Sequence, residues 1–378
     1  MATETNQAPT ATIQQAFQAG ATSPNGAGSM HLPLDHVDVG AGTITATVAP
    51  PSTSDGGLPH ETLRGMYDAL LRARALDERG WQLNRAGQAP FVVSGQGHEA
   101  AQVGAAFALD RDTDIILPYY RDLALCVAWG VSATDVMMSV LARAADPASG
   151  GRQMPGHYGS ARLRIISGSS VVATQLPQAT GTAYAAKLRG TGQVSLVCFG
   201  EGASSEGDFH EACNFAAIHR LPVIFFCENN RYAISVPQHL QMAIDNVADR
   251  AASYGFPGVV VDGTDLLAVY AAVAAAAERA RGGDGPTLIE AKLYRFHPHS
   301  SDDDDRGYRS RDEVEAWRAR DPVTLFETRL RELGLLNDEQ IAEARARIAA
   351  EVNAATDAAE QAPSPDPLSF DRHVYAGE

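Results

Sequence analysis

Between residues 60 and 87 the apolar side chains fall three and four positions apart, whereas from about residue 88 to 291 they gather in short unbroken runs. The first pattern, with Leu63, Met66, Tyr67, Leu70 and Ala73 on one face of HETLRGMYDALLRARALDERGWQLNRAG, predicts one long amphipathic helix ended near Gly87. The runs at Ile115 to Pro118, Val194 to Phe199, Val223 to Cys227, Gly258 to Val261 and Thr287 to Leu293 predict buried strands, with helical stretches such as LLAVYAAVAAAAERAR between them. Strands alternating with helices of this length imply βαβ units, hence an α/β fold with a parallel sheet flanked by helices. An acidic loop, HPHSSDDDDRGYRS, follows the last run. Helices are then expected at about 311 to 333 and 338 to 361, and the Pro- and Asp-rich tail from Pro363 reads as surface.

Residues 1 to 58 have a different texture. They are rich in Ala, Thr, Ser, Pro and Gly and poor in long apolar side chains, which predicts a disordered start followed by an arm. The arm alternates at Ile44 and Val48 and is expected to lie along a partner or the body of the protein. The chain thus divides into a flexible arm (1–58), an α/β domain (59–310) and a helical C-terminal extension of that domain (311–378).

Charge narrows the partners. With 46 acidic against 30 basic residues the formal net charge is −16, which argues against nucleic acid or an anionic membrane and toward small molecules or proteins. The four cysteines, Cys126, Cys198, Cys213 and Cys227, sit in apolar surroundings without CxxC spacing, as buried thiols of a reducing compartment do. No apolar run approaches the length of about 18 to 20 residues that a membrane span needs. The first Lys or Arg is Arg64, so neither a secretory nor a transit peptide is expected, and the expected location is the cytoplasm.

The chemistry concentrates in one unit, VSLVCF-GEGASSEGDFHEACNFAAIHR-LPVIFF-CENN, which reads as strand, turn, helix, strand. A right-handed crossover of that length places Glu201 and the pair Asn229, Asn230 at the carboxyl ends of two parallel strands, where open α/β sheets bind ligands. Gly200 and Gly202 allow a tight turn, and a helix expected to begin near Ser205 would point amide groups at an anion such as a diphosphate. Glu201 would repel that anion unless a divalent cation lay between them. A carboxylate, an amide oxygen, a backbone carbonyl and phosphate oxygens make the all-oxygen set that Mg²⁺ takes. GxGxxS alone is a weak match to the nicotinamide fingerprint, which wants a third glycine. The joint occurrence of GEG and NN, 26 residues apart, each closing a strand, is more specific.

These residues resemble the thiamine diphosphate signature. GEGASSEGDFHEACNFAA, PVIFFCENNRYAIS, GRQMPGHYGS, ATQLPQATGTAYAAK and HPHSSDDDDRGYRS, spread over about residues 60 to 335, resemble the α subunit of the dehydrogenase component of branched-chain 2-oxo acid dehydrogenase complexes. The resemblance implies a thiamine diphosphate-binding, transketolase-like fold. It implies Mg²⁺ held by Glu201, the Asn230 side chain and the Tyr232 carbonyl, and phosphates meeting Gly202 and Ala203. It puts Tyr120, Arg121, Ser170 and Val172 on the cofactor, with Arg121 as a fixed cation on the diphosphate. His299 becomes the catalytic histidine, near both the diphosphate and the substrate, donating to substrate or intermediate during acyl transfer. Ser169, Val171, Thr174 and Gln175 match a monovalent-cation (K⁺) site of some relatives, and Phe91 and Tyr119 are expected to line the acyl pocket. Ser300 falls where a kinase modifies animal relatives and is read here as loop structure. The run Asp302 to Asp305 is expected to pair with Arg295, Arg306 and Arg309. Glu228 departs from relatives that carry Arg before the asparagine pair to help hold the diphosphate.

By the same resemblance the chain should be inactive alone, since a β subunit covers the other half of the cofactor. Two α and two β chains are expected, docked on a lipoyl acyltransferase core, with a branched-chain 2-oxo acid such as 3-methyl-2-oxobutanoate as substrate. A pyruvate or acetoin dehydrogenase α subunit, a nicotinamide-dependent oxidoreductase and a non-catalytic scaffold are the alternatives.

Overall fold

The structure, a computed structural model, describes residues 37–39, 45–48, 55–369 and 371–372. The apolar runs form the strands β3 (Ile115–Leu117), β4 (Ser195–Gly200), β5 (Val223–Asn229), β8 (Gly258–Asp262) and β9 (Thr287–Lys292), all parallel. Part of the expected arm lies on the body of the protein. Its β2 (Thr45–Val48) adds a sixth parallel strand beside β8, and β1 (Val37–Val39) pairs antiparallel with β2 at the edge. The remainder of residues 1–58 before Asp55 falls outside the described residues. The sheet order is β1-β2-β8-β9-β5-β4-β3.

Both faces of the sheet are covered, which is why its strands read as unbroken apolar runs. Leu196, Cys198, Ile224, Phe226, Val259, Val261 and Ile289 face one layer. That layer holds α1 (His60–Arg85), α2 (Glu99–Phe107), α3 (Leu123–Trp129), α4 (Ala133–Val140) and, after β8, α8 (Leu266–Arg281). Val197, Phe199, Val223, Phe225 and Leu288 face the other, formed by α5 (Gln175–Arg189), α6 (Gly207–Ile218) and the 3₁₀ segment Val247–Tyr254. Between β5 and that segment lie a two-residue hairpin, β6 (Tyr232–Ala233) and β7 (Val236–Pro237), and the single turn α7 (Gln238–Gln241).

Two expectations shift. The helix after GEG does not begin near Ser205: Glu201–Ser205 is a 3₁₀ turn, closed by the Ser204 hydroxyl on the Glu201 carbonyl (2.7 Å) and by Glu206 N on the Ala203 carbonyl (3.1 Å). The helix starts at Gly207. The expected 311–333 helix is two, α9 (Arg311–Arg318) and α10 (Pro322–Glu332), because Pro322 lacks the amide a continuing helix needs and Asp321 caps the new start at Val323 N. After α11 (Asp338–Gln361), the tail runs along the surface as expected, tied down by hydrogen bonds. Ala144 N donates to the Pro363 carbonyl at 3.0 Å, and the Arg152 guanidinium holds the carbonyl and hydroxyl of buried Ser369.

Candidate active site

A cavity of about 440 Å³ opens at the carboxyl edge of β4 and β5. The in-register pairing of Gly200 with Glu228 across these strands puts the GEG turn beside the asparagine pair. Glu201, Gly202, Ala203, Asn230, Tyr232, Tyr119, Tyr120, Arg121, Phe91, Ser169, Ser170, Val172, Gln175 and His299 all line the cavity. Residues far apart in sequence therefore share one wall. Val171 and Thr174 do not line it; Val171 is exposed, and the proposed monovalent-cation residues reach the cavity only through Ser169 and Gln175.

Glu201 is buried, and its two oxygens are treated differently. Oε2 accepts from Asn230 N at 3.1 Å, while Oε1 has no partner. Burial pushes its carboxyl up to about 7, against the pull of backbone amides and Arg295. An orphaned buried carboxylate oxygen on a cavity wall is costly unless something outside the chain meets it. Asn230 Oδ1 accepts from Tyr232 N at 3.3 Å, which holds the amide over the same turn. Gly202 is required by contact: a Cβ there would come within 2.8 Å of Ala233 Cβ.

Two guanidiniums line the same cavity as this acid. Arg121 is buried and donates to the carbonyls of Ser94 (2.6 Å) and His299 (3.2 Å), and Arg295 donates to the Tyr232 carbonyl (3.2 Å), the Ile234 carbonyl and the Tyr308 hydroxyl (2.8 Å). Among the described residues neither forms an ion pair with a carboxylate, so the wall offers two guanidiniums alongside the carboxylates of Glu201 and Glu206. An anion with phosphate oxygens suits the guanidiniums. This corrects one expected pairing: Arg306 pairs with Asp304 (2.5 Å) and Arg309 with Asp305 (2.6 Å), but Arg295 turns to carbonyls and Tyr308 instead.

His299 stands beside Arg121. Its amide donates to Asp303 Oδ2 (2.8 Å), and its Nδ1 receives Arg121 Nη2 at 3.4 Å, which leaves the ring proton on Nε2. Burial first, then the charges of Arg121 and Arg295, lower its pKa to about 4, so the ring is neutral near pH 7. Ser300 is buried, and its hydroxyl accepts from Asp302 N at 3.3 Å, a loop-holding role. His157 was not singled out from the sequence: its Nδ1 donates to the Met154 carbonyl (2.8 Å), so Nε2 accepts from the Ser170 hydroxyl (2.7 Å) and fixes that cavity-lining side chain.

Glu228 does not reach the cavity. Strand alternation puts it on the same face as Ile224 and Phe226, fully buried, where Oε2 takes His98 Nδ1 (2.7 Å), Gln102 Nε2 (2.9 Å) and the Tyr119 hydroxyl (3.4 Å). Asp122 is close by, its carboxyl pushed well above the usual range by burial and then by the Glu228 charge. Glu228 ties the Tyr119–Asp122 turn to β5 from behind.

The sequence matches the family described as "Dehydrogenase E1 component" over residues 67–368. The chain belongs to the dehydrogenase E1 component family. Among curated E1 proteins it is 56% identical over 320 residues to the 2-oxoisovalerate dehydrogenase subunit alpha of Bacillus subtilis (strain 168), covering 85% of this chain and 97% of that one. It is 38% identical over 334 residues to the 3-methyl-2-oxobutanoate dehydrogenase subunit alpha of Mycobacterium tuberculosis (strain ATCC 25618 / H37Rv), covering 84% of each. With the mitochondrial 2-oxoisovalerate dehydrogenase subunit alpha of Bos taurus it shares 38% over 324 residues, 85% of this chain and 71% of the bovine one. The GEG turn and the asparagine pair thus lie inside the matched E1 region.

Proposed function

We propose that this chain is the α subunit of a 2-oxoisovalerate (3-methyl-2-oxobutanoate) dehydrogenase, binding thiamine diphosphate through Mg²⁺ and acting with a β subunit in a multienzyme complex. The observation that carries the reading is the orphaned Glu201 oxygen, on a cavity wall shared with two guanidiniums that form no ion pair among the described residues. A metal diphosphate satisfies all three at once, and a bare anion would not. The names and identities of the relatives favour the branched-chain substrate over pyruvate or acetoin. They also leave the nicotinamide reading without support, since the GEG turn leads into a 3₁₀ segment rather than a dinucleotide helix.

When bound, thiamine diphosphate supplies the electron sink for decarboxylation of a 2-oxo acid. The chain's own residues bind and orient. Glu201, Asn230 and the Tyr232 carbonyl would hold the metal, Gly202 and Ala203 would present amides, and Arg121 with Tyr120 would fix the diphosphate end. A K⁺ ion at the 169–175 turn would be served by Ser169 and Gln175, the two of that set on the wall. His299, neutral with its proton on Nε2, is a donor toward substrate oxygen during acyl transfer to a lipoyl group. Phe91 and Tyr119, both on the cavity wall, would bound the acyl side. We place the working form as two α and two β chains docked on a lipoyl acyltransferase, in the cytoplasm. The four buried free thiols suit that reducing compartment, and among the described residues no helix is long and apolar enough to cross a membrane.

The test is to co-express the chain with its cognate β subunit and measure Mg²⁺-dependent thiamine diphosphate binding and turnover of several 2-oxo acids. Preference for 3-methyl-2-oxobutanoate is expected. Preference for pyruvate would move the assignment to the neighbouring class, and binding that ignores Mg²⁺ would remove the metal site.

A further inference from the structure

One buried carboxylate has no part in the site as described. Asp77 lies on the inward face of α1, 5% exposed, and among the described residues it has no cationic partner. Its Oδ1 accepts from the Ser94 hydroxyl (2.8 Å) and Gln96 Nε2 (3.0 Å), and its Oδ2 accepts from Gly95 N (2.7 Å). Three consecutive residues thus hang on one side chain.

The loop they form, residues 94–97, is wedged between two parts of the cavity. On one side the Ser94 carbonyl receives Arg121 Nη1 at 2.6 Å, and a Cβ on Gly95 would come within 2.9 Å of the Arg121 carbonyl. On the other side the Gln96 carbonyl receives Phe296 N at 3.1 Å, and Gln96 Oε1 meets His297 Nε2 at 3.1 Å. Gly97, at φ +95°, has no room for a side chain: a Cβ would fall 2.0 Å from the Tyr294 carbonyl. The loop therefore sets the spacing between Arg121 and the strand exit that leads to His299.

We propose that Asp77 is a positioning residue that, through residues 94–97, holds Arg121 and the His299 segment in register for binding thiamine diphosphate. The inference rests on the reading that Arg121 and His299 face that cofactor. The energetics argue against a merely stabilising role. Burial pushes the Asp77 carboxyl up to about 6 despite the three donors, and the charge of Glu99 adds to the rise. A carboxyl raised by the fold weakens the folded state as pH climbs from 3.8 through about 6, above which the loss is complete. Its charge costs stability at neutral pH, yet only the charged form lets both oxygens accept. The other ionisable groups around it are Glu99 of α2, itself paired with Arg74, and Tyr158; Arg121 stands beyond the Ser94 carbonyl.

The test uses the αβ assembly, with thiamine diphosphate titrated at saturating Mg²⁺ by tryptophan fluorescence, and thermal unfolding of the same samples. In Asp77→Asn an amide hydrogen must face a loop donor. The expected result at pH above about 6 is a dissociation constant raised about tenfold or more, with Tm unchanged or higher. Below that pH the gap to wild type should narrow, because wild-type Asp77 loses its charge too. Ser94→Ala should weaken binding while keeping the wild-type loss of affinity in acid. An Asp77→Asn affinity equal to wild type, a gap that does not change with pH, or a Tm that falls in step with affinity would each overturn the inference. Failure of the wild-type assembly to bind thiamine diphosphate would instead overturn the cofactor reading on which it stands.

Discussion

Glu201 is the acid around which the cavity is organised, and its removal separates two readings of the site. Glu201→Ala should abolish Mg²⁺-dependent thiamine diphosphate binding in calorimetry while the fold survives, since the deletion also removes a desolvated charge. Unchanged affinity would strip the acid of its metal role. His299→Asn is expected to lower turnover by about 10²–10⁴-fold with little change in cofactor affinity, the signature of a proton donor lost from the reacting end. The same residue carries a pH prediction. Because its pKa lies near 4, an acid limb in the rate near pH 6 to 7 does not belong to it and should persist in His299→Asn. At this scale the sequence was legible where a side chain closes a strand, as at Glu201 and Asn230. It was silent on Asp77 and His157, whose partners come from distant loops and leave no local spacing to read.

The elements explain where legibility ended. Strands β3, β4, β5, β8 and β9 announced themselves because both faces are buried, with boundaries within about two residues of the apolar runs, whereas β1, β2, β6 and β7 were not read as strands. Alternation within β5 also carried the answer to Glu228: counting in twos from Ile224 puts it on the face of α2 and α3, away from the cavity. The 3₁₀ geometry after GEG was not read from the sequence, although the contact that closes it, the Ser204 hydroxyl on the Glu201 carbonyl, spans only three residues. The strand contributes most through burial. Phe226→Ala, a fully buried side chain in the middle of β5, should lower unfolding free energy by about 3–5 kcal/mol in urea titration. A loss under about 1 kcal/mol would mean that the helical layer collapses into the gap.

For the molecule as a whole, the chain alone should show negligible turnover, and adding the β subunit should restore it. Robust decarboxylation by the isolated chain would sink the division of labour. Stability should also depend on pH through two histidines of one segment. His297, stacked on Trp81, and His299 are both lowered from 6.5 to about 4, chiefly by burial, so the fold favours their neutral forms. That contribution is present above pH 6.5 and is lost as pH falls toward about 4. The carboxyls of Glu201 and Asp77, raised to about 7 and about 6, act in the opposite sense over the same window, so the histidine contribution is read by difference in the unfolding midpoint. Relative to wild type, His297→Asn should lose less stability as pH falls from 6.5 toward about 4.

The parallel sheet has one further practical outcome. All the cavity residues gather at the carboxyl edge, so the turns that feed β4, β5 and β9 emerge on the opposite rim. There Gly192 and Gly283 have no atom within 4 Å of where a side chain would begin, although both sit at positive φ. A fluorophore or surface anchor inserted beside either would report on, or immobilise, the enzyme from behind while leaving its mouth free to meet other proteins.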